Sequence, residues 1–161
     1  VNAPNASGER AIGLFAGQGH IEAVKTLLEK GAELNYLDRK GNSPLSLAMA
    51  ASHIETTKLL IQRGAKANFV ELLSRSALSG NLSMVQLLVS MGADVNSQDE
   101  KIAPPLLSAV FSGDLPTIRF LLDENADPLA TFNGRSILEF AAASAQPEVI
   151  KLLLDKKRLR L

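Results

Sequence analysis

The chain has 161 residues, of which 46% are hydrophobic and 21% charged, a balance that suits a folded core and excludes a disordered segment. Seventeen basic side chains offset seventeen acidic ones, so no global field draws in a nucleic acid, and none is expected as a partner. Cysteine is absent, which excludes disulfides and thiolate zinc sites and fits an intracellular, cytoplasmic setting; no apolar run reaches the roughly 18 residues of a bilayer crossing, so no membrane insertion is expected.

Recurrence sets the order of the elements. Residues 1–34 hold a first pair of short helices. Its outer member starts at Gly19-His20-Ile21-Glu22-Ala23-Val24, carries the apolar pair Leu27-Leu28 and stops at Gly31-Ala32, with a companion helix starting about ten residues upstream. Residues 35–67 repeat this at an interval of 33, with Ser52-His53-Ile54-Glu55, Leu60-Ile61 and Gly64-Ala65. Here the companion reads Ser43-Pro44-Leu45-Ser46-Leu47-Ala48, and proline suits a first turn whose N–H has no partner. The polar turn Asp38-Arg39-Lys40-Gly41-Asn42 precedes it.

Residues 68–95 break the interval, because Gly80-Asn81-Leu82 comes only 28 residues after its predecessor. The five missing residues fall between Asn68 and Glu71, so Phe69 runs almost straight into its helix and the third loop is cut short. Residues 96–128 restore 33 with Asp99-Glu100-Lys101, Gly113-Asp114-Leu115 and Leu121-Leu122. Their stop carries Asn125 where the others carry Gly31, Gly64 and Gly92, a slot that wants a left-handed residue. Residues 129–161 add the turn Phe132-Asn133-Gly134-Arg135, the marker Ala145-Gln146-Pro147 and the pair Leu153-Leu154. Ala48, Ala77, Ala109 and Ala141 let paired helices approach closely. At the start, Val1-Asn2, Asn5 and Gly8 match Leu34-Asn35, Asp38 and Gly41, and the last helix has no glycine stop. Neither end is a polar cap of the sort repeat arrays need, which predicts a segment of a longer protein.

Gly41, Ser43-Pro44-Leu45, Ala48, His53 and Gly64-Ala65, repeated with drift over the whole chain, resemble the ankyrin repeat. The resemblance implies an all-α solenoid, a single array of about five antiparallel helix pairs with hairpin-like loops projecting along one edge. Individual units are degenerate. The family's Thr-Pro-Leu-His is Arg10-Ala11-Ile12-Gly13 in the first, Glu71-Leu72-Leu73-Ser74 in the third and Pro104-Pro105-Leu106-Leu107 in the fourth. Where that histidine is missing, its tie to neighbouring backbone must be missing or replaced.

Chemistry-bearing residues are scattered. His20 and His53 share one repeat slot, and residues a repeat apart are too distant to share a zinc whose ligands sit about 2.0–2.1 Å away. Glu9, Glu22, Glu55 and Glu148 recur at helix starts, where a carboxylate complements the helix dipole. Gly13, Gly17 and Gly19 lack the dinucleotide spacing, and no nucleophile elbow occurs. Asn5-Ala6-Ser7 and Asn81-Leu82-Ser83 match a glycosylation acceptor, but Asn81 also holds a repeat slot. Lys156, Lys157, Arg158 and Arg160 read as a solvated helix end rather than a targeting tract. The expectation is therefore no enzyme, no catalytic residue, no cofactor and no metal.

What remains is recognition of a protein or peptide partner. Leu78 and Phe111 stand at inner-helix ends, a slot that in ankyrin-like arrays faces the concave groove, with Ser79 and Ser112 beside them. Loop-tip candidates are Leu37, Arg39, Lys40, Asn42, Gln98, Glu100, Lys101, Phe132 and Asn133. The shortened third loop predicts an opening beside Leu78 and Phe111 for a partner's apolar anchor. Two alternatives stand beside this reading: a structural spacer positioning other domains, and an enzyme or small-ligand site in the groove.

Overall fold

The computed structural model describes residues 1–144 and 146–158, with side chains described through Asp155. Two compact units divide the chain, Val1–Ala67 and Asn68–Leu161. The division falls where the repeat interval shortens, between the second and third repeats.

The first unit holds α1 (Ala11–Gly17), α2 (Ile21–Glu29), α3 (Pro44–Ala50) and α4 (Ile54–Gln62). α1 packs on α2 and α3, α3 on α4, and α2 on α4, so each inner helix touches the next inner helix and its own outer partner. The second unit repeats the arrangement with α5 (Phe69–Leu78), α6 (Leu82–Ser90), α7 (Pro105–Ser112), α8 (Leu115–Asp123), α9 (Ile137–Ala143) and α10 (Pro147–Arg158). There α5, α7 and α9 form the inner row, and α6, α8 and α10 the outer one. Ala48, Ala77, Ala109 and Ala141 are all fully buried, as the close approach of helices requires.

The stops are built alike. Gly31, Gly64, Gly92 and Asn125 all have φ between 68° and 95°. In each case the left-handed residue donates to the carbonyl three back, and the next N–H reaches five back. The pairs are Gly31 N to Leu28 O with Ala32 N to Leu27 O, repeated at Gly64, Gly92 and Asn125. This closing pattern satisfies carbonyls that a helix end otherwise leaves open.

The apolar pairs divide unevenly. Leu60, Leu88, Leu121, Leu122 and Leu153 are buried. Leu27 and Leu28 are only half-buried, and Leu154 is 40% exposed.

Four loop segments connect or precede the pairs. Residues 5–9 and 38–42 fold in the same way: Asn5 Oδ1 accepts from Ser7 N and Glu9 N, as Asp38 Oδ1 accepts from Lys40 N and Asn42 N. The last loop is a hairpin, β1 (Thr131–Phe132) and β2 (Arg135–Ser136), in antiparallel register. Asn133 and Gly134 turn it with φ of 51° and 75°, the left-handed pair that a two-residue hairpin turn needs. The third repeat has no such loop. Asn68 Oδ1 instead caps α5 by accepting from Glu71 N, and Phe69 is already helical.

Candidate interaction surface

Asparagines tie the start of a repeat to the stop that closes it, along the loop edge. Asn2 donates through Nδ2 to Gly31 O at 3.1 Å and accepts at Oδ1 from Glu33 N at 2.8 Å. Asn35 makes the same pair of bonds to Gly64 O and Lys66 N, and Asn96 to Asn125 O and Asp127 N. Asn68, the fourth member of the series, is the helix cap already described. The recurrence of asparagine four residues after Gly31, Gly64 and Gly92 was the available signal for this role.

The inner-helix ends carry exposed apolar surface. Leu78 is 52% and Phe111 46% exposed at the ends of α5 and α7. The Phe111 ring stands edge-on to Phe140, with centroids 5.5 Å apart, and the Arg135 guanidinium lies 4.7 Å over the Phe140 ring. Sequence reasoning missed Phe140 and Arg135, because the residue one turn before the Phe111 slot is Ser108 in the fourth repeat and Arg75 in the third. Ser79 and Ser112 hydroxyls bond inward, to the carbonyls of Ser76 and Ala109.

In the first unit, Leu37 is 66% exposed, and Arg39 and Lys40 are exposed at the tip. Asn42 is engaged in the loop itself: its N–H and Nδ2 both donate to Asp38, and its carbonyl accepts from Asp38 N. These bonds, first the Asn42 N–H and then its side-chain amide, hold the Asp38 carboxyl below its ordinary value.

In the second unit, the fourth and fifth loops border an open cleft of about 570 Å³. Gln98, Glu100, Phe132 and Asn133, proposed separately from sequence, all line it, together with Asp99, Pro104 and Thr131. Lys101 is exposed next to it, and its N–H donates to Asp99 Oδ1.

The motif histidine is replaced differently in the first, third and fourth repeats. Gly13 takes its place in α1, where a Cβ would collide with the Tyr36 hydroxyl. That hydroxyl accepts from Arg10 N at 3.0 Å, and the Arg10 guanidinium stacks on the ring and pairs with Glu33. Tyr36, the chain's one tyrosine, thus supplies from the next repeat the tie that the histidine lacks. In the third repeat Ser74 Oγ donates to Ala103 O at 2.8 Å. In the fourth, Leu107 is fully buried and simply packs.

The two histidines serve the repeat. His53 Nε2 lies 3.2 Å from Gly17 O, and His20 stands edge-on to Phe15. Their counterparts Asn81 and Asp114 cap α6 and α8 through Met84 N and Thr117 N. Among the described residues, no group of three or more His, Asp or Glu side chains is placed to hold a metal. Asn5 of the other acceptor tripeptide binds Ser7 N, Glu9 N and the Glu9 carboxylate. The basic side chains at Lys156, Lys157, Arg158 and Arg160 lie outside the described residues. No helix among the described residues is long and apolar enough to cross a membrane.

Known proteins carry similar sequence. YahD of Escherichia coli (strain K12) is 29% identical over 114 residues, covering 71% of this chain and 43% of that protein. The B-cell lymphoma 3 protein homolog of Mus musculus is 30% identical over 162 aligned residues, covering 89% and 30%. The nuclear factor NF-kappa-B p105 subunit of Gallus gallus is 34% identical over 132, covering 75% and 13%. The chain therefore spans less than half the length of these curated relatives. The family description "Ankyrin repeats (3 copies)" matches residues 1–70 and 73–160. With that match over nearly its whole length, and with helix pairs, stops and loops in step, the chain belongs to the ankyrin-repeat family, whose repeats are generally protein-interaction modules.

Proposed function

We propose that the chain binds a protein or peptide partner through its loop tips and its inner-helix face, without catalysis of its own. The observation that carries this is the exposure of Leu78 and Phe111 in one slot of two adjacent inner helices, 52% and 46%. Large apolar side chains half-exposed at matching positions gain on being covered. They serve as anchors for affinity. Leu37, Arg39, Lys40, Gln98, Glu100, Lys101, Phe132 and Asn133 at the tips set register and specificity. Asn42, Ser79 and Ser112 shape these surfaces through the internal bonds they make. A chain with no cysteine fits an intracellular site for this binding.

The test compares proteins captured from cell extract by the parent and by Phe111→Ala and Leu78→Ala. Covering the exposed half of such an anchor is worth about 1 kcal/mol, so each variant is expected to lose about threefold to tenfold of a genuine partner's affinity. Melting temperatures serve as the control: Leu78→Ala should stay close to the parent, and Phe111→Ala should remain folded while losing the edge-on contact with Phe140, about 0.5–1.5 kcal/mol. Capture unchanged in both variants overturns the reading, and a spacer role then stands in its place.

A further inference from the structure

We infer that the cleft between the fourth and fifth loops seats a lysine or arginine side chain of the partner. This rests on the interaction-module reading and gives part of the partner a chemistry. The space of about 570 Å³ lies in the range of small-ligand sites and exceeds what one side chain fills, so a short extended segment enters with it. Every ionisable group lining it is a carboxylate, Asp99 and Glu100. Pro104 and Phe132 supply an apolar part of the lining, beside the neutral polar Gln98, Thr131 and Asn133. An ammonium or guanidinium on an aliphatic stem matches both features, with the stem on the apolar part and the charge near the carboxylates and the Phe132 ring.

The neighbouring cations do not fill this role. Arg135 lies over the Phe140 ring, and Lys101 does not line the cleft. A second cleft of about 280 Å³ continues from it, sharing Gln98 and Pro104, and its ionisable lining group is again an acid, Asp127. Among the described residues, the ionisable lining groups of both clefts are thus acids. The two carboxylates disfavour an anion. A wholly apolar occupant would strip Gln98 and Asn133 of water without returning a bond.

The probes are two synthetic peptides, acetyl-Gly-Ser-Arg-Gly-Ser-amide and its counterpart with Glu in place of Arg, titrated into the 161-residue chain. Backbone amide shifts are followed by NMR. The arginine peptide is expected to shift the amides of 98–101 and 131–134 saturably, and the glutamate peptide to leave them in place. Glu100→Gln and Phe132→Leu should each weaken the arginine peptide about threefold to fivefold, the scale of an exposed ion pair or a cation–ring contact. Raising salt should weaken it further. Equal shifts from both peptides, none from either, or saturable shifts elsewhere overturn the inference. Those results leave the module reading intact if Phe111→Ala still releases a partner, whereas unchanged capture with a responsive cleft removes the module reading's anchors alone.

Discussion

Thr57 sits in a slot that holds Val24, Val85 and Ile118 in the first, third and fourth repeats. All four side chains are fully buried, and the Thr57 hydroxyl has no hydrogen-bond partner. A buried hydroxyl without a partner costs about 1–3 kcal/mol, while its methyl group packs as valine would. Thr57→Val therefore keeps the shape and removes the penalty. It should stabilise the first unit by about 1 kcal/mol and raise its melting temperature by a few degrees, as calorimetry would read. A lower melting temperature would show that the hydroxyl is satisfied after all. This slot was readable as apolar from its neighbours in the sequence. The ring over Gly13 was not, because Tyr36 reaches it from the following repeat and a periodic pattern carries no information about a residue that departs from it.

Loops and helix ends gain their shape from a few short polar side chains. Asn2, Asn35 and Asn96 clamp successive stops, while Asn68 caps α5 because no loop follows it. The missing five residues made that exception legible in advance, since a shortened loop leaves the asparagine beside a helix start. Positions of stops and turns were equally legible, because left-handed conformations select glycine or asparagine by sterics. The loop cleft was not: its residues lie some thirty positions apart, and spacing does not say that two tips face each other. Within the first unit's loop, Asp38 accepts two backbone N–H bonds and one from the Asn42 amide, and its carboxyl is held low. A carboxyl with a depressed folded value stabilises above its unfolded value, and that contribution is lost as pH falls through the folded one. The Asp38 carboxyl should titrate below 3.8, with the Lys40 and Asn42 amides moving at the same midpoint by NMR. Glu139, held low first by the Ser136 N–H and then by its hydroxyl, should titrate below 4.5 in the same spectra. A midpoint at or above either value would mean that the loop or the cap is open in solution.

Each unit is held by helices that share neighbours, so damage to one buried leucine is not confined to its own repeat. In the second unit, α6 packs on α5 and α8, α5 on α7, and α7 on α8 and α9, with α10 against α8 and α9. Leu88 in α6 is fully buried in this stack. Leu88→Asp places a carboxylate there with no partner, at a cost of several kcal/mol. That is a large fraction of the 5–15 kcal/mol, or about that, which holds a domain together. Because no helix in the unit has a core of its own, hydrogen-exchange protection should fall in α5, α7 and α8 together with α6. Leu60→Asp, at an equally buried position in α4, should do the same to α1, α2 and α3. The control is Leu78→Asp. That side chain is 52% exposed, so its carboxylate remains hydrated and protection should stay within about 0.5 kcal/mol of the parent. If Leu88→Asp leaves α7 and α8 protected, the repeats of this unit fold independently and the shared core is refuted. If Leu78→Asp unfolds the unit instead, the leucine belongs to the core, and the inner-helix face loses its first anchor.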